Sequence, residues 1–341
     1  FNALVKLGML VILFMIGFNL DLEKIRRLGR EIVKATVLRT FLEGILGSIL
    51  MYLWFPEHVS GSYIIALITA FSFATVGEAV LLPILSEFKV LDTAFGQLTL
   101  GIGTFDDVVE VLMLSIIVAL PAFLPTAQNL PDPTLIVTVL CSLFIFAYLI
   151  IKLGGRLRVV LEKNSDSIYV HHLLVLFIFF FFASLGGLVF EDLATIGAIL
   201  GGIVTRHTLP KEVLEENEKA INFLGYIFLS PLFFLSIGAK VSLGSLIISP
   251  ALIIFILLVA NSPEYLTSFI LFRKLLGVKH SLLLGLGLSV RFSTSIIVQY
   301  ILYNSGLISL PLYSALIASS MIMLPIIIGI YSWGLTSSKP P

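Results

Sequence analysis

Two adjacent aspartates, Asp106 and Asp107, lie in the middle of a long apolar stretch, and Glu110 follows within one helical turn. A carboxylate in hydrocarbon is costly, so acidic residues at membrane depth usually face a bundle interior or a watery cavity and indicate an ion or proton path. On a helix, Glu110 lies close to both aspartates. Because like charges this close should not all ionise, we expect at least one carboxyl to hold a proton near neutral pH. Carboxylates that bind either a proton or a hard cation such as sodium provide the chemistry of exchange. The alternative is a buried network that only ties helices together.

Two further apolar segments combine charge with helix-breaking residues. The segment 71–83 contains Thr75 and Glu78 beside a glycine and a proline, and the segment 284–295 contains Arg291 beside two glycines and several hydroxyl residues. Interrupted apolar segments in corresponding places are typical of a broken-helix binding site in an inverted-repeat transporter. Helix packing by small residues would explain the glycines but not the charges. We therefore expect Glu78 and Arg291 to pair where the two interrupted helices cross.

Other charges inside apolar segments have simpler interpretations. Arg39 and Glu43 are four residues apart, which predicts a local ion pair with no role in transport. Glu264 follows Pro263 directly, and the sequence leaves it open whether Glu264 is a second ionic partner or a residue at a helix kink.

Composition identifies the elements that must position these groups. The 341 residues are 58% hydrophobic and 12% charged, with a mean hydropathy of +1.08, whereas soluble proteins have about 25% charged residues. The chain is therefore predicted to be an all-α polytopic membrane protein, and its net charge of +0 gives no nucleic-acid signature.

A span needs about 20 apolar residues. Eleven spans are predicted, at roughly 2–20, 31–54, 62–86, 94–120, 134–152, 168–188, 192–207, 219–239, 246–272, 281–304 and 310–334.

Basic residues alternate between the connections that join these spans. Of the 21 Lys and Arg residues, 17 fall on one side, which predicts that the chain starts outside and ends in the cytoplasm. We interpret the apolar start at Phe1 as an N-terminus that lacks further helices, and we expect no soluble regulatory domain in this chain.

Several motifs together carry a family resemblance. The segment 14–22 reads FMIGFNLDL, the segment 196–202 reads IGAILGG, and the segment 231–238 reads PLFFLSIG. With the Asp106–Asp107 pair and Arg291, the chain resembles the monovalent cation/proton antiporter superfamily, in its bacterial sodium/hydrogen exchanger and Kef-like or Nap-like branch.

This resemblance implies a single transmembrane transporter domain over 1–341 with the inverted-repeat antiporter fold and 13 spans in the full length. Two crossing discontinuous helices would lie in core repeats at about 31–120 and 246–334, with intervening helices at about 134–239. A homodimer in the lipid bilayer is implied. Asp107 would be the main cation and proton carboxylate, with Asp106 beside it and with Thr75 and neighbouring backbone carbonyls completing the coordination. No cofactor and no metal other than the transported cation are expected.

The sequence also departs from the family pattern. A lysine is usual in the ninth span, where this chain has Pro263, Glu264 and Tyr265, and Glu78 replaces a residue that is more often small or apolar. The stoichiometry is therefore open. Potassium-specific members more often have Gln-Asp at the paired position, which favours sodium here.

The leading hypothesis is a secondary antiporter that exchanges protons for Na⁺ or Li⁺ by alternating access, supported by a charged network of Glu78, Arg291, Glu110 and Glu264. The alternatives are a K⁺/H⁺ antiporter, a channel with a titratable gate, and a non-transporting sensor of the same fold. A channel would be expected to have polar rings along several spans. No metal motif or serine dyad indicates an enzyme.

Overall fold

The computed structural model describes residues 2–20, 29–119, 132–163, 168–189, 191–292, 294–337 and 340. Within these ranges the regular elements are all helices, which confirms the predicted all-α class. The α-helices are α1 (Asn2–Asn19), α2 (Arg30–Trp54), α3 (Tyr63–Phe73), α4 (Glu78–Glu87), α5 (Ala94–Ala119), α6 (Pro133–Lys163), α7 (Ile168–Gly187), α8 (Leu193–Thr208), α9 (Lys211–Asn222), α10 (Ser230–Ala239), α11 (Leu243–Ile248), α12 (Pro250–Leu288), α13 (Thr294–Asn304) and α14 (Leu310–Ser337).

Six helical stretches in the described part of the chain are long and apolar enough to cross a membrane. They are Asn2–Asn19, Arg30–Trp54, Pro133–Gly154, Asn217–Ala239, Pro250–Leu288 and Leu310–Leu335. Shorter apolar helices occur at Tyr63–Phe73 and His172–Gly187. The total of eleven spans stays a prediction. Several of the basic residues that predict the orientation lie outside the described part, namely Lys24, Arg26, Arg27 and Lys339.

The chain divides into two compact units. The first comprises Phe1–Leu22 and Val111–Ile237, and in it α8 packs against α1, α6 and α7. Glycine allows the close approach: a Cβ at Gly17 would lie 2.0 Å from the carbonyl oxygen of Ile199 on α8. The glycine-rich segment 196–202 is therefore a helix-packing surface.

The second unit comprises Glu23–Glu110 and Gly238–Pro341. In it α2 packs against α3 and α12, α12 against α14, and α13 against α3 and α14. Its apolar core includes Leu81, Phe95, Leu284 and Tyr331, each of them fully buried.

Two helices of the second unit are interrupted in mid-course. The chain leaves the helical conformation at 74–77, between α3 and α4, and again at 289–292, after α12. The two breaks meet, because the Gly77 backbone N–H donates to the Val290 carbonyl at 2.7 Å. A Cβ at Gly77 would lie 3.1 Å from the Phe292 backbone nitrogen, so a larger residue would crowd this contact. The predicted crossing of two discontinuous helices is confirmed, and the spans predicted at 62–86 and 281–304 are each interrupted by a non-helical segment.

The ninth predicted span, 246–272, has different bounds in the structure. A break at Ser249 separates α11 from α12, and α12 continues beyond 272 to a single non-helical residue, Gly277, with φ 77° and ψ 170°. Glycine adopts positive φ without steric cost. In place of the predicted connection after residue 272, two helices meet at a kink at Gly277.

Candidate functional site

Asp106 and Asp107 lie on α5 in different environments. Asp106 is fully buried, whereas Asp107 is only partly buried. One oxygen of Asp106, Oδ2, accepts a hydrogen bond of 2.6 Å from the backbone N–H of Val76. Val76 lies in the first non-helical segment, where a backbone N–H is not used by a helix. The interruption of the helix therefore provides a donor for the carboxylate.

The second oxygen of Asp106 binds an arginine from another helix. Arg39 on α2 donates from Nη2 to Asp106 Oδ1, and from Nη1 to Glu264 Oε1 at 2.8 Å. The same Nη1 lies 3.5 Å from the Ala74 carbonyl oxygen. Arg39 therefore joins α2, α5 and α12 at the first interruption.

Arg291 makes the corresponding contacts from the second interruption. Its Nη1 donates to the Thr75 carbonyl at 2.8 Å, and its Nη2 donates to the Ala260 carbonyl at 3.0 Å. Both nitrogens lie 3.3 Å from Glu264 Oε1. Nη2 also forms an ion pair of 2.8 Å with Glu43 Oε1. A single guanidinium thus connects both interruptions with α2 and α12.

These contacts form one buried network of two arginines and three acidic residues. Its members, each at most 2% exposed, are Arg39, Arg291, Glu43, Asp106 and Glu264. Ion pairs out of water are costly to desolvate, and loss of one partner leaves an uncompensated charge at a cost of about 3–5 kcal/mol. Loss of one of these charged side chains is therefore expected to destabilise the fold as well as to change the site.

The predicted local pair between Arg39 and Glu43 is wrong. Arg39 binds Asp106 and Glu264, while Glu43 pairs with Arg291. Glu264, which the sequence left open, is an ionic partner of both arginines. The expected pairing of Arg291 with Glu78 involves a side chain outside the described part of the structure, so it stays a prediction.

A second group of polar side chains lies buried without hydrogen bonds. Among the described residues, Thr75 Oγ1, Glu110 Oε1 and Thr294 Oγ1 have no hydrogen-bond partner, and the same holds for Ser295 Oγ and both polar atoms of the Gln299 side chain. The sequence predicts a role for Thr75 and Glu110 in the site, but Thr294 and Gln299 are not among the residues predicted from it. An amide inside an apolar helix, as in 294–304, is a signal that could have identified Gln299.

The fold and this site define an integral membrane transporter with the antiporter architecture, not an enzyme. The chain belongs to the family of transmembrane sodium/hydrogen exchangers, whose model matches residues 1–333.

Similar proteins agree with this assignment. The chain is 26% identical over 322 residues to a Na⁺/H⁺ antiporter of Enterococcus hirae, covering 92% of this chain and 79% of that protein. It is 24% identical over 335 residues to the Na⁺/H⁺-K⁺ antiporter GerN of Bacillus cereus, covering 93% and 78%. The solved structure of the sodium proton antiporter MjNhaP1 from Methanocaldococcus jannaschii at pH 8 matches in fold with a TM-score of 0.60 at 15% identity, over 98% of this chain and 84% of that one.

Proposed function

We propose that this protein exchanges protons for a monovalent cation, with Na⁺ or Li⁺ as the cation, and that Asp107 is the carboxylate that binds either ion. The observation that carries this proposal is the difference between the two aspartates. Both oxygens of Asp106 accept strong hydrogen bonds, from Arg39 and from Val76. Asp107 is the next residue and is only partly buried, so it is the more accessible carboxylate of the pair.

In the proposed mechanism, Asp107 releases its proton on the side where protons are scarce and then binds the cation. A carboxylate cannot hold both ions at once, so competition for it enforces exchange. Thr75 is the proposed second ligand. Because the Thr75 carbonyl accepts from Arg291 and its hydroxyl has no hydrogen bond among the described residues, the hydroxyl is the group that we assign to the cation.

A separate part of the proposal is the identity of the exchanged cation. Support for sodium comes from the Asp-Asp pair and from the names of similar proteins. The name of GerN includes potassium as well, so K⁺/H⁺ exchange is the second candidate. Carboxylate and hydroxyl oxygens suit any of these hard cations, so the flux experiment compares all three.

We also propose that the protein lies in a bacterial inner membrane as a homodimer, with its C-terminus in the cytoplasm. The alternation of basic residues along the chain supports the orientation. The residues predicted as core repeats, 31–120 and 246–334, fall largely in the second compact unit, which is the unit that contains the buried network.

The test is proton flux in proteoliposomes of the purified protein. A pH gradient is imposed, and NaCl, LiCl or KCl is added in turn to the wild type, to Asp107→Asn and to Asp92→Asn. Asp92 is an exposed aspartate, so the same chemical change there serves as the matched control. We expect cation-specific loss of the gradient in the wild type and the control, and no response in Asp107→Asn. Exchange at the wild-type rate in Asp107→Asn would refute the mechanism.

A further inference from the structure

An apolar groove lies on the surface of the second unit, between α2 and α12. Its volume is about 440 Å³, within the range of about 300–1,000 Å³ that is usual for ligand sites. Leu42 and Leu46 line it from α2, and Leu266 and Leu282 are among the residues that line it from α12. Leu46, Leu266 and Leu282 are exposed. An exposed apolar groove of this kind marks a surface that contacts a membrane or a partner.

Arg273 lies at one end of this groove. Residues at positions i, i+4, i+7 and i+11 share one face of a helix, and Ser262, Leu266, Phe269 and Arg273 have this spacing on α12. The first three of them line the groove. The guanidinium carbon of Arg273 lies 5.2 Å from the centre of the Phe269 ring, which is within the range of a cation–π contact. The apolar lining therefore ends in a positive charge that is held against its last ring.

Positive charge prevails around this end of the groove. The segment 265–290 contains Arg273, Lys274 and Lys279 and no Asp or Glu. Lys279 lies 5.6 Å from the centre of the Trp333 ring, and Trp333 is 72% exposed. Exposed tryptophan and basic residues are typical of the level of the lipid headgroups. The charged end of the groove is therefore expected at the membrane surface, with the apolar lining at the depth of the acyl chains.

Acidic residues of the chain do not cancel this charge. Arg273 and Lys274 are exposed, and within the described ranges neither of them forms an ion pair. Glu31, an acid in the first turn of α2, is paired with Lys34 at 2.9 Å. The positive charge is thus available to an anion from outside the chain.

We propose that this groove binds an anionic phospholipid, with one acyl chain along Leu42, Leu46 and Leu266 and with the phosphate at Arg273. The apolar lining suits a hydrocarbon chain but no polar ligand. The cation at its end favours a negatively charged headgroup, because basic residues at the membrane surface attract anionic lipids. A zwitterionic phospholipid has the same chains but lacks the net charge, so it occupies the groove more weakly.

The groove adjoins the buried network. Pro263 and Tyr265 line it, and Glu264, which lies between them in the sequence, binds Arg39 and Arg291. A lipid chain in the groove contacts α12 where Pro263 removes a helical hydrogen bond. Bound lipid therefore stabilises the second unit, as any ligand of the folded state does. The inference is independent of the proposed function, because it assigns the lipid no part in exchange.

The test is the effect of defined lipids on the thermal stability of the purified protein. The protein is depleted of lipid in detergent, and phosphatidylglycerol or phosphatidylcholine with identical acyl chains is titrated while the Tm is measured. We expect both lipids to raise the Tm. Half of the rise should occur at an about fivefold lower concentration of phosphatidylglycerol, the factor that one basic residue contributes to binding of an anionic lipid. Inorganic phosphate, which has the charge without a chain, should leave the Tm unchanged.

Two variants address the two halves of the site. Arg273→Gln should have the wild-type Tm without lipid, since its side chain is exposed, and should bind phosphatidylglycerol about fivefold more weakly, no better than phosphatidylcholine. Its matched control is Arg30→Gln, because Arg30 is an exposed arginine that does not line the groove. Leu266→Trp fills the groove and should weaken binding of both lipids alike. Its control is Leu258→Trp, another exposed position of α12 that lies outside the groove.

Several results would overturn the inference. These are equal affinity of the wild type for the two lipids, the same loss in Arg30→Gln as in Arg273→Gln, and the same loss in Leu258→Trp as in Leu266→Trp. A rise in Tm with inorganic phosphate that matches the rise with phosphatidylglycerol would show a site for a free anion instead. If one variant does not fold, the other variant and its control decide the question. The flux experiment is separate, so failure of either proposal leaves the other intact.

Discussion

Replacement of Arg39 by methionine should destabilise the protein strongly. Arg39 is 1% exposed and binds Asp106 and Glu264. Methionine keeps much of the length and apolar volume of the side chain but removes the charge. The three acidic residues of the network are then left with one arginine, Arg291, and Asp106 loses one of its two described partners.

The size of the effect follows from the burial of the network. Removal of one partner of a buried ion pair costs about 3–5 kcal/mol. The second unit comprises Glu23–Glu110 and Gly238–Pro341, and for a domain of that size 1 kcal/mol changes Tm by about 2–4 °C. We therefore expect Arg39→Met to lower the Tm by about 6–20 °C. Neutralising Asp106 as well, in Arg39→Met/Asp106→Asn, should recover part of the loss, with a coupling energy of about 0.5–3 kcal/mol.

The assay is thermal unfolding in detergent, followed by the amount of protein that remains monodisperse after heating at one fixed rate. Arg273→Met is the matched control, because Arg273 is exposed, and its Tm should stay within about 2 °C of the wild type. A loss of Tm in Arg39→Met no larger than in this control would refute the reasoning. So would a double variant whose loss of stability equals the sum of the losses in Arg39→Met and in Asp106→Asn.

Two further predictions concern the first unit. Asp192 precedes α8, and burial, with repulsion from Glu191, raises its pKa to about 6 against the attraction of Lys6. Because the pKa of Asp192 is higher in the folded protein than in the unfolded chain, the wild type should gain stability as pH falls from 7.5 to 5. The Asp192→Asn variant should lack this gain. Parallel Tm values for the two proteins across that pH range would contradict the prediction. Gly17→Ala should lower the Tm by several degrees, because its Cβ would meet backbone on α8, whereas Gly238→Ala, with nothing within 4 Å of the new Cβ, should not.

Local patterns in the sequence predicted the interruptions well. Gly77 and the glycines before Ser289 reduce helix propensity where charge is also present, and the structure has its breaks there. The depth of Asp106 could be predicted for a similar reason, since a carboxylate inside an apolar span must face protein or water. Both inferences depend only on residues close together in the chain.

The partners of Arg39 could not be predicted in this way. The rule for residues four apart on a helix indicates that Arg39 and Glu43 are near each other. It does not say whether an acid on another helix binds Arg39 in place of Glu43. Asp106 and Glu264 are 67 and 225 residues away from Arg39. The choice among these acids depends on which faces of α2, α5 and α12 meet. A lone arginine within an apolar span was the available signal of a long-range partner.

The distances along the chain between members of the network have a consequence for biogenesis. Among the elements that carry the network, α2 is synthesised first. Glu264 emerges 225 residues after Arg39, a delay of about 10–45 s at ordinary elongation rates. Through that interval Glu43 is in the membrane without Arg291, its partner in the mature protein, and each unpaired charge at mid-membrane costs a nascent helix about 2.5–3.5 kcal/mol. The buried network of the second unit therefore cannot be completed until residue 291 has been synthesised.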